Sequence, residues 1–262
     1  MADRQYNLKP YYQTDNGVLY HGDCLDIMKG ILDGSVDLIL TDPPYGITAC
    51  KWDSAIPFEP MWEQLNRIIK LNGAIVLFGS EPFSSALRMS NIKHYKYDWV
   101  WDKKLSTNVL HCNRMPLKRN ELISVFYKKT PTYNPIMRIG RPRVKGKVSR
   151  SETNAKVKHR KDQKTYISNE YYPTTIIEFS NANMRGRVHN TQKPVALMEY
   201  LIRTYTNEGE TVLDFCSGSG TTAVACENLN RKWICIEKEE KYCEIAAKRI
   251  EKETRQMKLF TG

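Results

Sequence analysis

From residue 18 onward the chain alternates between two hydrophobic rhythms. The runs "VLY", "VDLIL", "AIVLF" and "YDWVW" are short and nearly all apolar, as expected of strands covered on both faces. Between them, "DCLDIMKGIL", "PMWEQLNRIIK" and "PFSSALRMS" return to an apolar residue every three or four positions, the spacing of a helix with one inward stripe. The alternation resumes after residue 188. There "PVALMEYLIRTY" reads as a helix with Pro194 suited to its first turn, "TVLDF" as a strand, "GTTAVACENL" as a helix and "KWICIE" as a strand, before a closing helix from about Glu239. Strands alternating with helices predict an α/β fold, a doubly wound, mostly parallel, Rossmann-like sheet with helices on both faces. From Thr130 to Val188 the rhythm fails, apart from a short strand-like "TTIIEF". The expected organisation is one domain in two halves, 1–129 and 189–262, with 130–188 inserted between them.

Charge singles out the same insertion. The net charge is +11. Between Arg138 and Lys164 stand eleven basic residues, Arg138, Arg141, Arg143, Lys145, Lys147, Arg150, Lys156, Lys158, Arg160, Lys161 and Lys164, against Glu152 and Asp162 alone. An excess this concentrated points to a polyanion partner, nucleic acid before an acidic membrane, because no amphipathic apolar stripe accompanies it. Elsewhere composition mainly excludes. The opening "MADRQYNLKP" has no apolar run, and no window approaches the roughly 18 apolar residues of a membrane span, so a soluble, cytoplasmic protein is expected. Seven scattered cysteines without a C-x-x-C and five dispersed histidines predict reduced thiols and no metal.

Two motifs carry chemistry. In "VDLILTDPPYG" a buried strand runs into two prolines, which cannot continue a ladder. Asp42 is thus left at the lip, followed by Pro43, Pro44 and Tyr45 on a stiff turn. A ring on a rigid turn can stack a planar substrate, and the Asp42 carboxylate with the Pro43 carbonyl can accept hydrogen bonds from an exocyclic amino group. In "TVLDFCSGSGTTA" a strand ends at Asp214, and Gly218-x-Gly220 opens a helix, with Glu237 closing the next strand. That pattern suits a nucleoside cofactor: glycines let a ligand approach the backbone, and a carboxylate can hold ribose hydroxyls. In a doubly wound sheet both motifs belong at the carboxyl ends of strands, so they are expected to face one cleft. A nicotinamide oxidoreductase shares the glycine turn but leaves Asp-Pro-Pro-Tyr and the basic insertion unexplained. A DNA-binding protein without catalysis would bind duplex salt-sensitively yet carry out no transfer.

Asp42-Pro43-Pro44-Tyr45, then "HNTQKP" (His189 to Pro194), then Asp214-Phe215-x-x-Gly218-x-Gly220 resemble the DNA amino-methyltransferases of the permuted β-class, in which the catalytic motif precedes the cofactor motif. The resemblance covers most of 18–130 and 186–250, with Asn190 where the family often has proline. It implies S-adenosylmethionine as methyl donor. Phe215, Gly218 and Gly220 would line it beside Asp214 and Thr221, Glu237 would hold its ribose, Asp23 would meet its adenine end and Lys193 its methionine part. Asp23 is also a good helix N-cap. The resemblance implies a base flipped from double-stranded DNA, stacked on Tyr45, with the insertion contacting DNA. It also leaves a homodimer and a cognate restriction enzyme as partners. Asp at position 42 points to adenine N6 as the target, with cytosine N4 as the alternative; cytosine C5 chemistry needs a Pro-Cys, which is absent.

Overall fold

The computed structural model describes residues 8–46, 55–107, 109–145, 166–181 and 192–261. In chain order, β1 (Tyr12–Gln13), β2 (Gly17–His21), α1 (Cys24–Met28), β3 (Val36–Thr41), α2 (Phe58–Ile68), β4 (Ile69–Gly79), α3 (Phe83–Ser90), β5 (Tyr95–Thr107) and β6 (Lys118–Phe126) form the first half. After β7 (Arg138–Lys145) and β8 (Tyr166–Tyr171) come β9 (Ile176–Glu178), α4 (Val195–Tyr205), β10 (Thr211–Asp214), α5 (Thr221–Asn228), β11 (Lys232–Glu237) and α6 (Glu240–Thr261). The chain divides into two units: Met1–Asn134 with Thr175–Gly262, and Pro135–Thr174.

Among the described residues, the first unit is built on a nine-stranded sheet in the order β1-β2-β11-β10-β3-β4-β6-β5-β9. From β2 to β4 every pairing is parallel, whereas β6 runs antiparallel to both β4 and β5, and β1 runs antiparallel to β2. The buried stretches of the central strands are mostly apolar because helices cover both faces. Leu38 and Leu40 of β3 pack into a layer with Leu197 and Leu201 of α4, Val224 of α5 and Ala246 of α6. Ile39, between them, enters the opposite layer with Met28 of α1, Leu65 of α2 and Leu87 of α3. Period-two alternation thus sends successive residues into separate cores.

Some elements differ from the sequence pattern. Helix α1 stops at Met28, short of the expected run, and Gly30 and Gly34 follow it. Pro194 is the N-cap of α4, one position before its first turn. Strand β6 was not expected, since it opens on Lys118, Arg119, Asn120 and Glu121. Ile176–Glu178, inside the segment read as an insertion, pairs in parallel with β5 and forms an edge of the main sheet.

The second unit contains an antiparallel hairpin of β7 and β8, whose register shifts between Ile139 and Arg143, where Gly140 and Pro142 interrupt the strand. Arg143 lies 4.2 Å over the Tyr171 ring, and the Tyr171 hydroxyl donates to the Arg141 carbonyl at 2.7 Å.

Candidate active site

The sheet reverses direction of winding between β10 and β3. From β3 the chain crosses through α2 to β4 on one side, and from β10 through α5 to β11 on the other. Register pairs Leu213 with Ile39, so Asp42 and Asp214 leave adjacent strands at the same end. Both line one cavity of about 550 Å³, together with Glu237 at the end of β11. Crevices at such reversals are where open α/β sheets bind ligands.

On the β3 side, both oxygens of Asp42 are engaged. The Tyr45 hydroxyl donates to Oδ1 at 2.5 Å, and the Lys193 ammonium donates to Oδ2. The Tyr45 ring rests against Phe83, centroids 5.0 Å apart and planes at 30°. Pro43 is buried and Pro44 half-buried, and both line the cavity.

On the β10 side the backbone forms the wall. Gly218 has φ +51°, with open space where a Cβ would stand. Gly220 caps α5 at φ +74°, and a Cβ there would lie 2.9 Å from that of Ala246. Gly220→Ala therefore combines left-handed strain with overpacking, and a loss of about 2–4 kcal/mol is expected, read as a lowered urea midpoint with an unchanged slope. Asp214 braces this turn: Oδ2 accepts from the Thr222 hydroxyl at 2.5 Å and Oδ1 from the Cys216 amide at 3.2 Å. Burial pushes its carboxyl up to about 7, although these donors pull the other way. The Phe215 amide donates to Thr41 Oγ1 at 3.1 Å, and its ring is buried in the layer with α1 to α3. The Thr221 hydroxyl accepts from Arg249 at 2.9 Å. Glu237 accepts from the Gly218 amide at 2.7 Å and the Glu239 amide at 2.9 Å, and burial raises its pKa. Asp23 caps α1 through the Leu25 amide at 2.9 Å and also lines the cavity, so both of its expected roles are sterically compatible.

Two residues that the sequence pattern did not single out complete the site. Glu121 of β6 accepts from Lys103 of β5 at 2.7 Å through Oε1, and its Oε2 lies 3.4 Å from Lys193 Nζ. Lys103 and Lys193 are both buried. Burial disfavours the Glu121 carboxylate, but Lys193 and Lys103 outweigh it and hold its pKa below the ordinary range. Burial likewise disfavours the Lys193 ammonium, and Asp42 and Glu121 outweigh that and raise its pKa. A single isolated charge here would cost several kcal/mol; two ammonium and two carboxylate groups offset one another.

Arg138, Arg141 and Arg143 are exposed on the hairpin of the second unit, and Lys145 ends β7. Lys147, Arg150, Lys156, Lys158, Arg160, Lys161 and Lys164 fall outside the described residues, as do His189 to Thr191 of "HNTQKP". No group of three or more His, Cys, Asp or Glu among the described residues is placed to hold a metal, and no helix there is long and apolar enough to cross a membrane.

The family model for N6/N4 methyltransferases, described as DNA methylase, matches residues 36–248, spanning both motifs. The chain belongs to this family. The type II methyltransferase M.HpaI of Haemophilus parainfluenzae is 30% identical to this DNA methylase over 246 residues, 88% of the present chain and 73% of the relative. Among solved structures, the M1.HpyAVI–SAM complex superposes with a TM-score of 0.58 at 28% identity, covering 88% of this methylase and 98% of that chain. The PvuII cytosine-N4-specific DNA methyltransferase superposes at TM-score 0.66 over 95% of each chain; at 18% identity this likeness speaks for the fold alone.

Proposed function

We propose that this DNA methylase transfers a methyl group from S-adenosylmethionine to adenine N6 of a base flipped out of duplex DNA. The observation carrying this reading is the convergence of Asp42, Pro43, Pro44 and Tyr45 with the Gly218–Gly220 turn on one cavity. The residues present fit the cofactor. The Ser217 hydroxyl is buried in the cavity wall without a partner among the described residues, and Gly218 leaves room for a close approach to the backbone. Glu237 would hold the ribose, Asp23 the adenine end, and Phe215, Asp214 and Thr221 would shape the wall. Lys193, paired with Asp42, would lie toward the methionine part. S-adenosylmethionine supplies an electrophilic methyl group on a positively charged sulfur.

An aromatic amino group is a poor nucleophile because its lone pair is delocalised into the ring. Asp42 and the Pro43 carbonyl would accept its two N–H bonds, favouring a tetrahedral nitrogen whose lone pair is released for attack. Preorganised acceptors of this kind, with positioning, supply most of the catalysis. Lys193 and Tyr45 orient the Asp42 carboxylate from two sides. The methylated ammonium is acidic and loses its proton readily, so Asp42 acts as an acceptor and not as a prior base. Tyr45 would stack on the flipped base, offsetting an unstacking cost of a few kcal/mol.

The basic residues of 138–164 would neutralise phosphates, so affinity for DNA should fall steeply with salt. A homodimer and a cognate restriction enzyme belong to the same reading as expected partners. Incubation with unmethylated DNA and radiolabelled cofactor, followed by nucleoside analysis, is expected to yield N6-methyladenine. Cytosine N4 is the second reading, because the family spans both bases. Label found only in N4-methylcytosine replaces the first reading with the second.

A further inference from the structure

We propose that Glu121 is a positioning residue: from β6 it shares the Lys193 ammonium with Asp42, keeping the Asp42 carboxylate oriented and able to accept hydrogen bonds from the substrate amino group. The inference rests on the reading of Asp42 given above. Its basis is the order of charges along one wall of the cavity, Lys103, Glu121, Lys193 and Asp42. Glu121 is placed by the sheet, not by a loop. It is the register partner of Trp101, and Lys103 stands two residues further along the same face of β5. Its carboxylate is thereby fixed between the two ammonium groups.

The groups facing Lys193 are few. Asp42 lies beyond β3, Glu121 is on β6, and the rings of Phe78 and Trp101 lie 5.0 and 6.0 Å from Nζ. Lys103 reaches this set through Glu121 and through the Trp101 ring, 5.6 Å from its Nζ. With one carboxylate instead of two, Lys193 would have Asp42 as its sole counterion among the described residues. It would then compete with the substrate amino group for the same oxygens. The apolar rings cannot replace Glu121 as a carboxylate counterion, although their faces attract the cation. Replacing a whole buried ion pair by apolar side chains is often neutral for stability, whereas removing one partner strands the other; clusters of perturbed titratable groups mark reaction centres.

Glu121→Gln keeps the shape and removes the charge. The expected result is a kcat lower by on the order of 10- to 100-fold, with the equilibrium constant for S-adenosylmethionine close to wild type and a thermal midpoint that falls, because buried Lys103 is left without its carboxylate. The alkaline limb of the kcat–pH profile should move to lower pH. Two carboxylates raise the Lys193 pKa, and with one of them gone the ammonium loses its proton earlier. Glu121→Asp, which keeps the charge, should recover part of the rate and return the limb toward its wild-type position. A Glu121→Gln protein with wild-type kcat overturns the inference. So does a loss confined to cofactor binding, which would assign Glu121 to the cofactor, or a loss of kcat that disappears once the rate is normalised to folded protein, which would make it structural. If the wild-type protein methylates DNA and Glu121→Gln is unaffected, only this inference fails. If the wild-type protein transfers no methyl group, the functional reading fails and takes the inference with it.

Discussion

Asp42→Ala is expected to slow methyl transfer by on the order of 1,000-fold while leaving the affinity for S-adenosylmethionine near wild type. The carboxylate is the acceptor aimed at the substrate amino group, and no neighbour can take over that role. Tyr45 and Lys193 bind Asp42 as donors, so the two nearest side chains have the wrong polarity to substitute. The variant should still fold, because Lys193 retains Glu121 as a counterion and is not stranded. The glycine turn is braced separately by Asp214 and Glu237, so the opposite wall should keep its shape. Single-turnover methylation beside calorimetric cofactor binding separates the two effects. A rate unchanged in Asp42→Ala would remove Asp42 from the mechanism, and lost cofactor binding would assign it to the other half of the cavity.

Asp214→Asn should be stabilising, and increasingly so as pH rises. The wild-type carboxyl has its pKa raised by burial from an ordinary value of 3.8 to about 7. A raised carboxyl pKa means that the folded protein binds the proton more tightly than the unfolded chain does. The stability associated with that proton is fully present below pH 4 and is lost as pH rises to about 7. At one kcal-scale step per pH unit, the shift corresponds to about 4 kcal/mol as an upper bound. Asparagine mimics the protonated acid: its oxygen can accept from the Cys216 amide, and its NH₂ can donate to the Thr222 oxygen. Matched denaturation of the two proteins should show little difference near pH 4, a gap that widens to about pH 7, and a plateau above it. A gap independent of pH would mean that Asp214 does not ionise in this window.

Hydrophobic rhythm made the core of this fold legible. The buried stretches of β3, β4, β10 and β11 are covered on both faces, so their side chains there are mostly apolar, and a run of Val, Leu and Ile declares them. Strand β6 is different. Its first half carries Lys118 to Glu121, and it is held by pairing with β4 and β5, a relation between distant segments that local pattern does not contain. The β7–β8 hairpin is masked in the same way by Gly140, Pro142 and its charges. Within the site, Asp42, Asp214 and Gly220 stand out because prolines and glycines mark places where the backbone must turn. Glu121 has no such marker. Its importance comes from Lys193, 72 positions later and on a different element, and only the folded sheet brings the pair to 3.4 Å.

The strand order also bears on how the chain is made. β2 and β3 are neighbours in sequence, yet β11 and β10 lie between them in the sheet. A nascent polypeptide emerging from the ribosome therefore carries β2 and β3 with a two-strand gap between them until residue 237 has been synthesised. The gap beside the central strand β3 is filled by β10 and β11, which are translated after every other strand of the sheet.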